Sequence, residues 1–134
     1  MRTFLLAFCL LAATACDEKG PTGPTVPINQ QFTLAPGEAA VIQEAGVRVQ
    51  FVRVTGDSRC PADAICIQGG DAIVHVRVVD SNGSVDHELH TGDSSRGVVS
   101  HRDLHVALVE LQPYPFSSRP LQEGDYRATL EVTR

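Results

Sequence analysis

Alternation of apolar and polar residues recurs along most of the chain and constrains its fold more than any other feature. The strongest example runs from Ala72 to Val79, and a second alternating segment follows Asn82-Gly83. Strand side chains point alternately to the two faces of a sheet, so this period predicts strands with one buried face. An Asn-Gly pair between two such segments predicts a β-hairpin. We expect Val74 and Val76 to face the core and Arg77 to face water.

Four further segments are predicted as strands and are separated by turn residues. They are Gln31–Leu34, Ala39–Gln43, Val47–Val54 and Tyr126–Thr133. The period slips by one residue at Phe51-Val52, which predicts a β-bulge. In the last segment the residues expected to face inward are Tyr126, Ala128, Leu130 and Val132, while Arg127 and Glu131 are expected to face water.

Residues His101 to Leu111 fit two interpretations. As a strand, alternate residues from Leu104 to Leu108 share one apolar face; as a helix, Ser100 and Asp103 would form a capping box. The valines of this segment favour a strand, and Pro113 would end a helix after about three turns. We predict a strand, preceded by a polar loop over residues 91–97.

About seven short strands predict an all-β domain, an antiparallel β-sandwich of immunoglobulin-like architecture, at residues 30–134. A length of 134 residues fits a single domain, and 43% hydrophobic with 20% charged residues is typical of globular chains. The segment Glu123–Tyr126 resembles the tyrosine corner of immunoglobulin-like sandwiches. That resemblance implies a hydrogen bond from the Tyr126 hydroxyl to the backbone of the preceding connection.

The N-terminal residues have the pattern of an export signal. Arg2 precedes an uncharged apolar stretch that is shorter than the roughly 20 residues needed to span a bilayer. The junction Ala13-Thr14-Ala15-Cys16 resembles the lipobox of bacterial lipoproteins, in which the signal is removed before a cysteine that carries a diacylglycerol. The resemblance implies a signal peptide at residues 1–15 and a lipid on Cys16. An ordinary cleaved signal is the alternative.

Lipidation implies a bacterial cell-envelope protein held at a membrane by its lipid, with the choice between inner and outer membrane left open. Residues 16–29 contain several Pro and Gly residues and few that would be buried. Such a composition predicts an extended tether between the lipid and the domain.

Two cysteines, Cys60 and Cys66, remain for the domain once the signal peptide and Cys16 are set aside. Export implies an oxidising compartment, where a single pair of this kind forms a disulfide. The spacing differs from that of zinc sites and of C-x-x-C redox pairs. We therefore predict a disulfide between Cys60 and Cys66 that closes a small loop.

A distinctive motif surrounds this loop: Asp57-Ser58-Arg59-Cys60-Pro61, then Cys66 and Gly70, with Leu111–Pro115 further on. It resembles a group of small, uncharacterised bacterial lipoproteins over residues 32–132, although Gln68 stands where an aromatic is expected. The resemblance implies a location and a fold but no activity.

The residues of the motif support two interpretations, a stapled connection between strands and a binding loop formed by Asp57, Arg59, Asp63 and Gly70. The Asp57 carboxylate is placed to accept hydrogen bonds from loop amides, and Arg59 is placed to pair with Asp57 or Asp63. We also expect Gly69-Gly70 to adopt positive φ where the chain turns into the next strand.

Catalytic, metal-binding and cofactor-binding patterns are missing from the sequence. G-x-S-x-G, P-loop and dinucleotide fingerprints do not occur. On strands, the pair His87 and His90 would face opposite sides, and His101 and His105 would lie about 13 Å apart. We therefore expect the histidines, including His75, to be solvated, and we predict no metal, no cofactor and no enzymatic activity.

A net charge of −5 and the absence of Trp argue against nucleic acid as a partner. The expected function is that of a non-enzymatic envelope lipoprotein that acts as a binding or structural module for an envelope protein or glycan. Two alternatives remain. One is a β-sandwich protease inhibitor that presents residues 57–70 and 113–120, and the other is a small metal-handling envelope protein.

Overall fold

The computed structural model describes residues 23–134, so the predicted signal peptide and Cys16 lie outside the described residues. The described part forms nine strands and a short 3-10 helix at Glu123–Asp125. The strands are β1 (Thr25–Val26), β2 (Gln31–Leu34), β3 (Ala39–Ile42), β4 (Val47–Asp57), β5 (Ala72–Asp80), β6 (Gly83–His90), β7 (Val98–His101), β8 (Leu104–Gln112) and β9 (Arg127–Thr133). The predicted all-β class is confirmed.

The strands form a sandwich of two sheets. The five-stranded sheet has the order β1-β3-β4-β5-β6, and the four-stranded sheet has the order β2-β9-β8-β7. Every neighbouring pair is antiparallel except β1, which runs parallel to β3. This arrangement is compatible with the predicted immunoglobulin-like sandwich.

The core lies between the two sheets and is built from the inward faces of the alternating strands. Val74 and Val76 on β5 and Leu130 on β9 are fully buried, as their periodicity predicts. Arg77 and Glu131 lie on the opposite, outer faces of the same strands. Every second residue of a strand faces the core, and most of these residues are aliphatic. The core contains no Trp because the chain has none.

The turn and the bulge that the sequence predicts are both found in the five-stranded sheet. Asp80 pairs with Gly83, so the hairpin predicted from Asn-Gly is confirmed with Ser81 and Asn82 at its turn. The ladder between β4 and β5 shifts after Phe51, which confirms the predicted bulge, and it shifts a second time near Gly56.

The ambiguous segment is β-structure, but it contains two strands rather than one. Arg102 has a φ of 57°, and a turn at Arg102-Asp103 separates β7 from β8. His101 therefore belongs to β7 and His105 to β8, so the expectation that both lie on one strand is wrong. β7 itself was not predicted.

The C-terminal part of the predicted tether belongs to the sandwich. Val26 is buried, and its carbonyl accepts a hydrogen bond from the Gln43 N–H at 3.0 Å, while the Pro24 carbonyl accepts one from Val41 at 2.9 Å. The domain therefore begins at or before Thr25 rather than at residue 30. Because β1 is parallel to β3 and so runs opposite to β4, Gly23 and Pro24, which precede β1, lie further toward the end where β4 stops than β1 does.

Candidate functional site

Two loops meet at the end of the sandwich where β4 stops. The first joins β4 to β5, and the second joins β8 to β9. The Ala62 N–H donates to the Pro115 carbonyl at 2.9 Å, and the Ser117 N–H donates to the Asp63 carboxylate at 2.9 Å. We call residues 57–71 and 113–121 the loop pair. The sequence predicts these loops separately, and the structure joins them into one surface.

The first loop is braced by a disulfide. Cys60 and Cys66 are joined with an S–S distance of 2.09 Å and a Cα–Cα distance of 5.9 Å, so the predicted disulfide is confirmed. Within the closed ring, the Ala64 N–H donates to the Pro61 carbonyl at 3.1 Å. A covalent ring with an internal turn limits the shapes open to a loop that has no helix or strand.

A buried ion pair lies at the base of the loop pair. Arg59 Nε and Nη2 donate to the two carboxylate oxygens of Asp57 at 2.8 Å and 2.6 Å, and these side chains are only 6% and 10% exposed. Burial alone would raise the pKa of Asp57, but the hydrogen bonds and charge of Arg59 hold that pKa below its ordinary value. The predicted pairing of Arg59 with Asp57 is thus confirmed, and Asp63 binds Ser117 instead.

Arg59 also holds the second loop. Its Nη1 donates to the Leu111 carbonyl at 2.6 Å, and its Nη2 donates to the Pro113 carbonyl at 2.9 Å. The guanidinium lies 5.1 Å from the centre of the Tyr114 ring, within cation–π range. The planar guanidinium carries five N–H donors, so one side chain binds the carboxylate and both carbonyls at once.

The Tyr126 hydroxyl completes this cluster. It donates to Asp57 Oδ2 at 3.1 Å, so the bond to the backbone implied by the tyrosine-corner resemblance is not formed. The buried Asp57 carboxylate is a stronger acceptor than a neutral carbonyl and accepts the hydrogen bond instead. Burial and the negative charge of Asp57 raise the pKa of Tyr126 to about 12.

Gly70 allows the backbone of the first loop to close on itself. A Cβ atom at this position would lie 1.4 Å from the Ser58 carbonyl oxygen. The predicted positive φ at Gly69-Gly70 is wrong: in residues 23–134 the glycines with positive φ are Gly37, Gly46 and Gly83. The requirement at Gly70 is close approach of the backbone, not an unusual φ.

The four predicted binding-loop residues therefore build the loop pair, and other residues form its surface. Ile65 and Ile67 are 103% and 104% exposed, and Tyr114 and Phe116 on the second loop are about half exposed. Large apolar side chains grouped in this way on a soluble surface indicate an interaction site. Isoleucines on both sides of Cys66, outside any alternating segment, are the sequence signal that could have identified this surface.

A cleft of about 560 Å³ opens beside the loop pair, and we call it the edge cleft. Its walls come from the last part of β8 and from neighbouring loops, with Arg59, His90, Thr91, Ser94, Gly97, Val98, Leu108, Val109, Glu110, Leu111 and Tyr114 lining it. β7 pairs with β8 only as far as Ala107, so within residues 23–134 no strand pairs with this side of Val109–Gln112, where the Leu111 carbonyl accepts its bond from Arg59. The cleft follows an open strand edge.

Two histidines are buried, which contradicts the prediction that all are solvated. His90 donates from Nδ1 to Asp71, and its Nε2 accepts a hydrogen bond from Arg96 at 2.6 Å. His101 donates from Nε2 to Asp80 at 2.9 Å, also in a buried position. A carboxylate distant in the chain accepts a hydrogen bond from each ring, Asp71 from His90 and Asp80 from His101, which lowers the cost of burial.

His75 and His87 are partly buried, and His105 is exposed. His75 lies on the outer face, where its Nε2 is 2.6 Å from the Thr55 hydroxyl. Across residues 23–134, His, Cys, Asp and Glu side chains form no group of three or more placed to hold a metal ion.

A membrane-spanning helix is not found in the part of the chain that the structure describes. Comparison with known proteins gives no match to a protein-family model, a curated protein or a solved structure. The function is therefore inferred from the geometry of the loop pair and the edge cleft.

Proposed function

We propose that the protein is a non-enzymatic lipoprotein of the bacterial cell envelope, anchored through Cys16, whose edge cleft binds an extended segment of an envelope protein. The lipobox resemblance of Ala13-Thr14-Ala15-Cys16 supports the anchor. The open edge of β8 beside the loop pair is the observation that carries the binding role.

An extended peptide suits the edge cleft because the four-stranded sheet is incomplete there. The Leu108 N–H donates to the Gly97 carbonyl at 2.8 Å, which continues the ladder beyond the last pair of β7. A bound segment that follows this direction adds a short strand, a recognised mode of peptide binding. Val98 and Val109, each nearly half exposed, supply apolar contacts for its alternate side chains.

Two of the polar groups that line the edge cleft, Arg59 and His90, favour recognition over catalysis. Arg59 is already bonded to Asp57 and to two carbonyls, and His90 is bonded at both ring nitrogens. Neither side chain has the open acceptor or donor that a general base or a nucleophile needs. These groups position a ligand by shape and charge.

Lipidation is tested by labelling cells with palmitate. The natural chain should incorporate label that survives removal of non-covalent lipid, and the Cys16→Ser chain should not. Equal labelling of both chains would contradict the anchor.

Binding at the edge cleft is tested by photo-cross-linking in living cells. A photoreactive amino acid in place of Val109 should give a discrete cross-linked protein, and the same probe in place of Val85 should not. Val85 is a matched control for Val109, because each side chain is 46% exposed and Val85 lies on β6, away from the cleft. A Val98→Arg substitution, which narrows the cleft, should abolish the Val109 product. The same product from both positions would contradict the proposal.

A protease inhibitor is the second candidate, because the loops that the sequence predicts as inhibitory come together at one end. Ile65 and Ile67 project beside the disulfide, as a residue that enters a peptidase cleft would have to do. This candidate predicts inhibition of a peptidase with an apolar specificity pocket, and a loss of that inhibition in the Ile65→Asp protein. Absence of inhibition across a panel of serine, cysteine and metallo-peptidases would reject it.

A further inference from the structure

The geometry points to a second role for the loop pair: its exposed apolar side chains insert into the interface of the membrane that holds the lipid. The apolar tip of this surface is Ile65 and Ile67 on the first loop with Phe116 on the second. This inference rests on the proposed anchor at Cys16 and names the bilayer itself as the partner of the tip.

The direction of the chain supports this orientation. β1 runs opposite to β4, so Pro24 and Gly23, followed backward from Thr25, point toward the end of the sandwich that carries the loop pair. Gly23 lies beside Ala39, which pairs with Gln50 on β4. An anchor that continues in the direction set by Gly23 and Pro24 would lie on the side of the apolar tip.

The length of chain between the domain and the lipid is also short. From Gln50 to Asp57, β4 rises about 23 Å toward the loop pair at roughly 3.3 Å per residue. From Gly23 back to Cys16 the chain spans at most about 25 Å, even when fully extended. A lipid at Cys16 that leaves in this direction thus reaches about the level of the loop pair and little beyond it. The membrane surface and the apolar tip then meet.

The side chains of the loop pair suit a membrane interface. Transfer of isoleucine and phenylalanine side chains from water to the boundary of the acyl chains is favourable in free energy. Tyr114 is half exposed, and tyrosine is enriched at the level of the lipid headgroups. Arg119, exposed on the turn that displays Phe116, adds a cation for lipid phosphates. The Asp63 carboxylate is held by the Ser117 N–H and hydroxyl, at 2.9 Å and 3.2 Å, within the loop pair itself.

The tip is also arranged before it meets a membrane. The disulfide closes the first loop, Arg59 fixes the second loop against it, and hydrogen bonds such as that from Ala62 to Pro115 join the two. Insertion therefore requires little further ordering of the chain, which is a cost that weakens binding by unstructured segments. Only Arg59 and Tyr114 of the residues that line the edge cleft belong to the loop pair, so a ligand still has access from the flank.

Tryptophan fluorescence tests insertion directly, because the chain contains no Trp of its own. The full mature lipoprotein, purified from bacterial membranes, is reconstituted into phosphatidylethanolamine–phosphatidylglycerol vesicles whose acyl chains are brominated near the headgroup. Ile65→Trp and Phe116→Trp place single probes on the tip, and Val85→Trp places one on β6. All three positions are about half exposed or more, so the substitutions leave the core intact.

The inference predicts that emission from the Ile65→Trp and Phe116→Trp proteins shifts to shorter wavelength and is quenched several-fold more strongly than emission from Val85→Trp. Equal, weak quenching at all three positions in protein that sediments with the vesicles would overturn insertion and leave the anchor intact. Protein that fails to sediment with the vesicles would overturn the anchor, and insertion with it. A tip that binds a protein or a peptidase instead gives the equal, weak quenching.

Discussion

Removing the charge of Asp57 should loosen the loop pair and destabilise the whole domain. Asp57→Asn keeps the shape of the side chain but leaves the Arg59 guanidinium buried without its counter-charge. The same substitution at Asp86 is a matched control, because Arg77 contacts both Asp86 oxygens at 2.6 Å and 2.9 Å in the same bidentate manner. The two pairs differ chiefly in exposure, which is 6% and 10% for the buried pair but 43% and 57% for the surface pair.

The expected magnitude follows from this difference. Breaking a buried ion pair by removing one partner costs about 3–5 kcal/mol, because the remaining charge stays in a poorly solvated position. Arg59 has further bonds to the Leu111 and Pro113 carbonyls, which hold it in place and prevent it from moving into water. Water and salt screen the pair on the outer face, so Asp86→Asn should change the free energy of unfolding little.

Urea denaturation of the chain from residue 16, with Ser in place of Cys16, measures both effects. The midpoint should fall strongly for Asp57→Asn and barely for Asp86→Asn, with the slope of the transition unchanged. An Asp57→Asn, Arg59→Met double variant should recover part of the loss, because it also removes the unpaired cation. Equal midpoints for the two single variants would refute the view that this pair holds the loops together.

Three further predictions concern the backbone, the pH dependence and the core. Gly70→Ala should lower the melting temperature sharply because its Cβ would overlap a backbone carbonyl, whereas Gly69→Ala meets nothing within 4 Å and should leave it unchanged. Burial and the neighbouring ring of His101 hold the pKa of His87 below its ordinary value of 6.5, so the unfolded chain takes up this proton first. Stability should therefore fall as the pH drops below 6.5, and His87→Phe should reduce that fall in denaturant melts taken at pH 7 and pH 5. Leu130→Ala should cost about 2–5 kcal/mol by denaturant melt, and Glu131→Ala about 0.5 kcal/mol or less; the reverse order would contradict the register of β9.

The strands that the sequence predicts well are those whose period has a direct physical cause. β5 and β9 each bury one face against the opposite sheet, so the alternation of Val74 and Val76, or of Leu130 and Val132, reports which side faces the core. The bulge near Phe51 is visible for the same reason, since an extra residue shifts the period by one.

The elements that the sequence does not predict are short and depend on distant partners. β1 has two residues, and Val26 is buried only because β3 pairs with it from more than ten residues away. β7 has four residues and ends at a turn where Arg102 adopts a positive φ. An arginine gives no sequence signal for that backbone conformation. Local propensity is a weak guide where tertiary pairing decides the outcome.

The contacts of the candidate site likewise divide into local ones, which the sequence predicts, and distant ones, which it does not. The pairing of Arg59 with Asp57 is local, two residues apart, and the motif predicts it. The contact of Arg59 with the Leu111 carbonyl joins residues 52 positions apart, and no local pattern indicates it. The buried histidines were missed for the same reason, since the partners that make burial favourable, Asp71 for His90 and Asp80 for His101, are 19 and 21 positions away.

Amide hydrogen exchange on the lipidated protein, in native membranes and in detergent, most directly tests the proposal that the loop pair and the neighbouring edge of β8 form the binding surface. The account predicts that the membrane slows exchange in the first loop, residues 58–71, and in residues 108–121, which include the open edge of β8 and the second loop. Exchange in the β5–β6 turn at residues 81–84, which lies at the opposite end of β5 from the loop pair, should be the same in the two conditions. Protection of that turn with no change in the loop pair would contradict the account.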